Sequence, residues 1–199
     1  MRTVALESNE QKSKIGKYVA IDCEMVGVGP EGIESALAQV VIVNYHGAVL
    51  LNTYVRPKER VTDYRTDITG ITSKQLHPSK AQPFEEVQRK VAELIKGRVV
   101  IGHGLKNDFK ALLLEHPRCL VRDTSLYKPF RKQFAKGRTP ALRKLSKGLL
   151  NQEIQGAAHS PVEDARAALT LYKEHRELWE KSVTRKFQVK ARKLGKPGA

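Results

Sequence analysis

The run KYVAIDCEMVGVG, residues 17–29, is apolar enough for a buried strand yet carries two carboxylates, Asp22 and Glu24, two positions apart. Alternate residues of a strand share a face, so the two acids stand together while Val19, Ile21 and Cys23 take the other side. Neither face reads as plain solvent. Neighbouring carboxylates repel and are costly to desolvate. They call for a shared proton, a basic partner or a divalent metal, unless the strand is a solvated edge. An oxygen-only ligand set suits Mg²⁺ or Mn²⁺.

The surrounding pattern says where such a strand sits. ALAQVVIVNY and AVLLNTYV read as two further strands, joined through Asn44–Gly47 as a hairpin. After a charged loop from Arg56 to Gly70 the chain turns helical. Thr72 and Gln75 offer a capping box for a short helix that Pro78 closes. Pro83 opens a longer helix with Phe84, Val87, Val91, Leu94 and Ile95 on one face, stopped by Gly97. RVVIGH reads as a strand, NDFKALLLEH as a helix and CLVRDT as a strand, with a further helix starting at Thr139–Pro140. Ser160, Pro161 and Glu163 supply an N-cap, an N1 proline and an N3 glutamate for a last helix, predicted to end near Lys181. Three strands followed by alternating helices and strands predict an α/β fold, a mixed central sheet of about five strands flanked by helices. The expected organisation is a flexible segment over 1–16, one domain over 17–181 and a basic tail over 182–199.

Charge narrows the partners. The chain of 199 residues has 36 Lys and Arg against 21 Asp and Glu, a net charge of +15. Residues 125–150 hold eight cations and residues 181–199 seven, with no acid in either segment, so these two account for the whole excess. Such a field attracts polyanions, nucleic acid first; a solubilising surface or an import tail is the plainer reading. Tyr127, Phe130 and Phe134 lie among the cations of the first segment, a combination that suits single-stranded nucleic acid unless the rings simply pack inward. No run is long enough to span a membrane, and the N-terminus lacks the apolar stretch of a secretory leader. Two cysteines, Cys23 and Cys119, are too few for a disulfide framework and read as small core residues.

Three more residues complete the acidic pattern. Asp108 stands at a helix start after IGHGLKN, and His103 lies in the same loop at the end of a strand, where α/β sites gather. His159 and Asp164 flank the start of the last helix. Taken singly, each reads equally as an ordinary first-turn aspartate or loop histidine. In order, however, D-x-E, D and H-x4-D resemble the DEDDh 3′→5′ exonucleases, at YVAIDCEMVGVG, VIGHGLKNDFKAL and AHSPVEDARAAL. DYRTDITGIT, VRDT and KGRTPALRKLS are similar to the eukaryotic branch that includes the interferon-stimulated exonuclease.

The resemblance implies a ribonuclease H-like exonuclease fold. It implies that Asp22, Glu24, Asp108 and Asp164 hold two divalent cations, Mg²⁺ or Mn²⁺, and that His159 takes the proton from the attacking water. The implied reaction removes nucleoside 5′-monophosphates from the 3′ end of single-stranded RNA. The implied setting is ribosomal RNA processing, on pre-rRNA or preribosomal particles in the nucleus and nucleolus, by a monomer with no membrane partner. DNA as substrate, a preribosome-binding module with incidental hydrolysis and a small-molecule metallophosphatase are the alternatives. Met25, Val26, Arg65 and His103 are expected against the terminal nucleotide, with Met25 and Arg65 near a ribose 2′-hydroxyl. Met25 as core filler and Arg65 as a surface residue stay open.

Overall fold

A computed structural model describes residues 14–156 and 158–194, with side chains through residue 187. Tyr18–Val28 (β1) lies inside a mixed sheet that has seven strands among the described residues. β1 runs antiparallel to Glu34–Asn44 (β2), and β2 antiparallel to Val49–Arg56 (β3). On its other side β1 pairs in parallel with Val99–Gly102 (β6), and β6 with Val121–Asp123 (β7). These are the five expected strands. Two short ones add to them: Val61–Asp63 (β4) pairs with the end of β1, and Gln82–Pro83 (β5) with β3. Segments of two or three residues carry no readable period.

The hairpin forms as its sequence predicts. The Asn44 side-chain oxygen accepts from the amides of His46 and Ala48 at 2.9 and 3.0 Å, and Gly47 takes φ +83°, a left-handed value suited to glycine.

Helices cover both faces of the sheet, because β1 and β2 are apolar on both. Val19, Ile21, Val40 and Ile42 pack on one side with Phe84, Val87 and Val91 of Phe84–Ile95 (α2) and Leu105 of Leu105–Ala111 (α3). Ala20, Val41 and Val43 pack on the other with Ala165, Leu169 and Tyr172 of Pro161–Leu194 (α6). Lys128–Ala135 (α4) and Leu142–Leu145 (α5) lend Phe130 and Leu145 to that second layer, and Thr66–Thr69 (α1) is a single turn before Gly70. Arg122 of β7 staples α6 to the sheet. Its guanidinium donates to both Glu180 carboxylate oxygens at 2.7 Å, and the Tyr172 hydroxyl donates to the same carboxylate at 2.7 Å.

Five expectations change. The last helix does not stop near Lys181, because residues 182–194 contain no glycine or proline and Gly195 is the first breaker. Cations at a helix C-terminus also complement its dipole, so the basic segment continues α6 through most of its length; residues 195–199 lie outside the described residues. At the other end, residues 1–13 lie outside them too, but 14–16 are tied down. The Lys14 carbonyl accepts from Asn44 at 3.0 Å and the Gly16 carbonyl from Arg98 at 3.0 Å. Cys119 is exposed, since it sits in a one-turn 3-10 segment, Arg118–Leu120, rather than in β7. The Thr72–Gln75 box is only half made: the Thr72 amide and hydroxyl both donate to Gln75 Oε1, at 3.1 and 2.6 Å, and the segment forms only a turn, with Pro78 too close for a helix. The helix expected at Thr139 begins at Leu142, after Ala141 in an extended conformation.

Candidate active site

Tyr18, Ala20, Asp22 and Glu24 alternate onto the face of β1 that α6 covers. The pairing register of β1 on β2 then slips between Glu24 and Met25, a bulge that ends the acidic stretch. Asp164 comes from the first turn of α6, whose start is set by Ser160 and Pro161, and its amide donates to the Ser160 carbonyl at 2.9 Å. Asp108 comes from the first turn of α3. That helix begins directly after β6, and Gly102 makes the junction tight: a Cβ there would lie 2.9 Å from the Ile21 carbonyl. Asp123 of β7 fixes the same junction. Its carboxylate accepts from the Gly104 and Leu105 amides at 2.9 and 3.0 Å and from Ser125 at 2.9 Å, capping α3 from another strand. Asp123→Ala orphans all three donors and is expected to cost about 2 kcal/mol in urea unfolding. A loss under about 0.5 kcal/mol would show that the cap does not hold α3 in place.

The four acids are close enough to feel one another, and all but the half-buried Asp22 are almost fully out of water. Glu24 and Asp108 are each 5% exposed and Asp164 3%. Burial, and then the charges of Asp108, Asp164 and Glu24, push the Asp22 carboxyl well above the usual carboxylate range. Burial with Asp164 and Asp108 raises Glu24 to about 8. Burial raises Asp108 to about 7, although it accepts hydrogen bonds from the Cys23 thiol and amide that favour the charged form. Asp164 is raised by burial against the opposing pull of Gln155 and His159. The Cys23 thiol is itself pushed up by burial and by Asp108.

His159 stands beside the cluster on the loop before α6. Its amide donates to the Ile68 carbonyl at 2.8 Å, and its Nδ1 lies 3.6 Å from Asp164 Oδ2. That same oxygen accepts from the Gln155 side chain at 2.7 Å, while Asp164 Oδ1 is buried without a hydrogen-bond partner. Buried polar atoms are nearly always paired, so this oxygen marks a place for a positive group. Among the described residues no three acidic, His or Cys side chains already converge in metal-ligand geometry. The donor set nevertheless fits a hard divalent cation: it is all oxygen, it is anionic, and one oxygen has no partner.

The expected substrate contacts are arranged differently from one another. Met25 is half-buried against the α2 layer, and Val26 is wholly buried in a small cluster with Ile71 and Leu76. Arg65, at a left-handed φ of +49°, donates to Ser35 Oγ and the Gly32 carbonyl at 2.9 Å each, tying down the loop that follows β1. The His103 ring meets Thr124 Oγ1 at 2.8 Å and the Pro140 carbonyl, and burial lowers its pKa. It anchors the 125–150 segment to the end of β6. Sequence reasoning missed two residues: Gln155, and Asp123 as a helix cap. Neither has a local signal, because each acts across the fold.

Comparison with known proteins follows this geometry. The exonuclease (RNase T) family model matches residues 19–172. The chain is 53% identical over 174 residues to RNA exonuclease 4 of Saccharomyces cerevisiae, covering 87% of this chain and 60% of that protein. It is 46% identical over 181 residues to RNA exonuclease 4 of Candida glabrata, covering 91% of this chain and 68% of that one. The chain thus spans 60% of the length of the S. cerevisiae relative. In structure it is similar to the Neurospora crassa Pan2 catalytic unit, with its protease and nuclease domain, at TM-score 0.72 and 30% identity over 92% of this chain and 30% of that one. It is also similar to the S. cerevisiae Pan2 pseudoubiquitin hydrolase-RNA exonuclease module in complex with AAGGAA RNA, at TM-score 0.73 and 30% identity, covering 96% of this chain and 34% of that one. The family match takes in Asp22, Glu24, Asp108, His159 and Asp164 together, and the chain belongs to the RNase T exonuclease family.

Proposed function

We propose that the chain is a metal-dependent 3′→5′ exoribonuclease that releases nucleoside 5′-monophosphates from single-stranded RNA. The observation that carries this reading is the unpartnered Asp164 Oδ1 inside a cluster of four acids, three of them buried, that push one another's pKa values up. A binding module gains nothing from four carboxylates beside bound phosphates, which they repel. The net charge of +15 favours a polyanion over a small phosphate ester. The relatives' name, RNA exonuclease, and the RNA held in the Pan2 module support RNA over DNA. We extend the reading to ribosomal RNA processing, on pre-rRNA or preribosomal particles in the nucleus and nucleolus, by a monomer.

Asp22, Glu24, Asp108 and Asp164 would hold the divalent cations, two of Mg²⁺ or Mn²⁺. When bound, such a pair neutralises the charge that builds on the attacking and leaving oxygens of a phosphodiester. The chain's own residues supply the rest. Gln155 steadies Asp164 by one oxygen and leaves Oδ1 free for a ligand. Asp123 and Gly102 hold Asp108 against β1. His159 turns Nδ1 toward Asp164, so Nε2 is left to take a proton from the attacking water, which requires a neutral ring.

His159→Ala is expected to lower kcat by about 10²–10⁴-fold, with Mn²⁺ affinity by titration calorimetry kept within a few fold. Unchanged turnover removes His159 from proton transfer. Matched RNA and DNA strands of one sequence, digested side by side, test the sugar preference, and equal rates would contradict an exoribonuclease.

A further inference from the structure

The aromatic residues of the 125–150 segment pack toward the core, Phe134 only in part. Tyr127 and Phe130 are buried, and Tyr127 stacks on Trp179 at 3.9 Å. A different set of rings and cations stands where three distant stretches of chain meet. Tyr18 opens β1 and Tyr45 follows β2, with ring centroids 5.4 Å apart. Arg176 of α6 lies over both rings, at 4.9 and 5.6 Å, and donates to their hydroxyls at 3.1 and 3.4 Å. Lys173 covers Tyr45 at 4.7 Å. Tyr45, Lys173 and Arg176 line an open groove of about 800 Å³ with Lys181 and Arg185, and Tyr18 stands behind it, bound to Arg176.

Two acids also line the groove, and neither opposes an incoming anion. Glu177 is held by Lys181 at 2.6 Å, and Glu180 is bound to Arg122 and Tyr172 at 2.7 Å. Lys173, Arg176 and Arg185 therefore remain as net positive charge. Past Glu180 the chain contains no acid, and α6 runs on to Leu194. Lys173 and Arg176, already seated on rings, lose little freedom when they bind.

Position gives the groove its meaning. Tyr18 shares a face of β1 with Asp22 and Glu24, and six residues of strand separate it from Glu24 by about 20 Å. That is too far to touch a nucleotide at the carboxylates, and within reach of RNA several nucleotides upstream. The geometry points to a second RNA contact: the groove between Tyr45 and α6 binds the phosphodiester backbone of the same strand, on the 5′ side of the end being trimmed. This inference rests on the exoribonuclease reading.

The test is binding of RNA strands of about 5 and about 20 nucleotides by fluorescence anisotropy in chelator, across a salt series, with Lys173, Arg176 and Arg185 all changed to Glu. The long strand is expected to bind at least about tenfold more weakly, with a salt slope smaller by about 2, near 0.7 for each cation lost. Binding of the short strand, and its turnover measured separately with Mg²⁺, should stay within twofold. Equal weakening at both lengths, or unchanged binding of the long strand, overturns the proposal; the second result would assign the groove to a different partner, such as an acidic protein. Arg185→Glu alone, which touches neither ring, should give about one third of the slope change and keeps the test valid if the triple variant is misfolded. A wild-type protein that binds long RNA through this groove yet cuts none would sink the nuclease reading and leave the groove standing.

Discussion

Asp22→Asn is expected to lower kcat at least about a thousandfold, since the loss is several kcal/mol of transition-state stabilisation, and yet to raise the melting temperature of the metal-free protein at pH 8. Both effects come from the same crowding. Glu24 and Asp108 have pKa values of about 8 and about 7 in the fold, against 4.5 and 3.8 ordinarily. Between those limits the folded chain keeps protons that the unfolded chain releases. Stability present below about pH 4 is therefore lost as pH rises toward 8. Removing the Asp22 charge relieves the repulsion, so thermal melts of wild type and variant should diverge at pH 8 and draw together near pH 5. A wild-type melting temperature that rises steadily from pH 5 to pH 8 in chelator would contradict this electrostatic account.

Glu180→Ala is expected to cost about 3 kcal/mol, because it leaves Arg122 buried without its counter-charge, and to lower the melting temperature by about 6–12 °C. The Arg122 side chain is 4% exposed and that of Glu180 32%, so water can reach the acid but not the guanidinium. The Tyr172 hydroxyl loses its acceptor at the same time. Replacing the pair together, Arg122→Met with Glu180→Leu, should recover much of the loss, since an apolar pair leaves no buried charge unmatched. A single-variant cost below about 1 kcal/mol would mean that the bridge behaves as a surface pair. Because this bridge fastens α6 to β7, the same experiment asks how firmly Asp164 is carried.

The parts of the site that were legible in the sequence are those set by local rules. Asp22 and Glu24 stand out because strand alternation puts two acids on one face of an apolar run. The start of α6 is legible because Pro161 can be tolerated only in a first helical turn. Cross-fold contacts left no such trace. Gln155 reaches Asp164 nine positions on, from before the start of α6, and Asp123 caps a helix that lies eighteen residues earlier. The rings of 125–150 were ambiguous because interleaved aromatics suit a core as well as a nucleic acid, and the core took them. The end of α6 was placed too early because charge was read as a tail, although nothing before Gly195 breaks a helix.

The most direct test is digestion of one single-stranded RNA, labelled at its 5′ or its 3′ end, with Mg²⁺, with Mn²⁺ and with chelator. The account predicts a ladder of 5′-labelled products shortening one nucleotide at a time, 3′ label released as mononucleotide, and no products in chelator. Internal cuts, shortening from the 5′ end or full activity in chelator would contradict it.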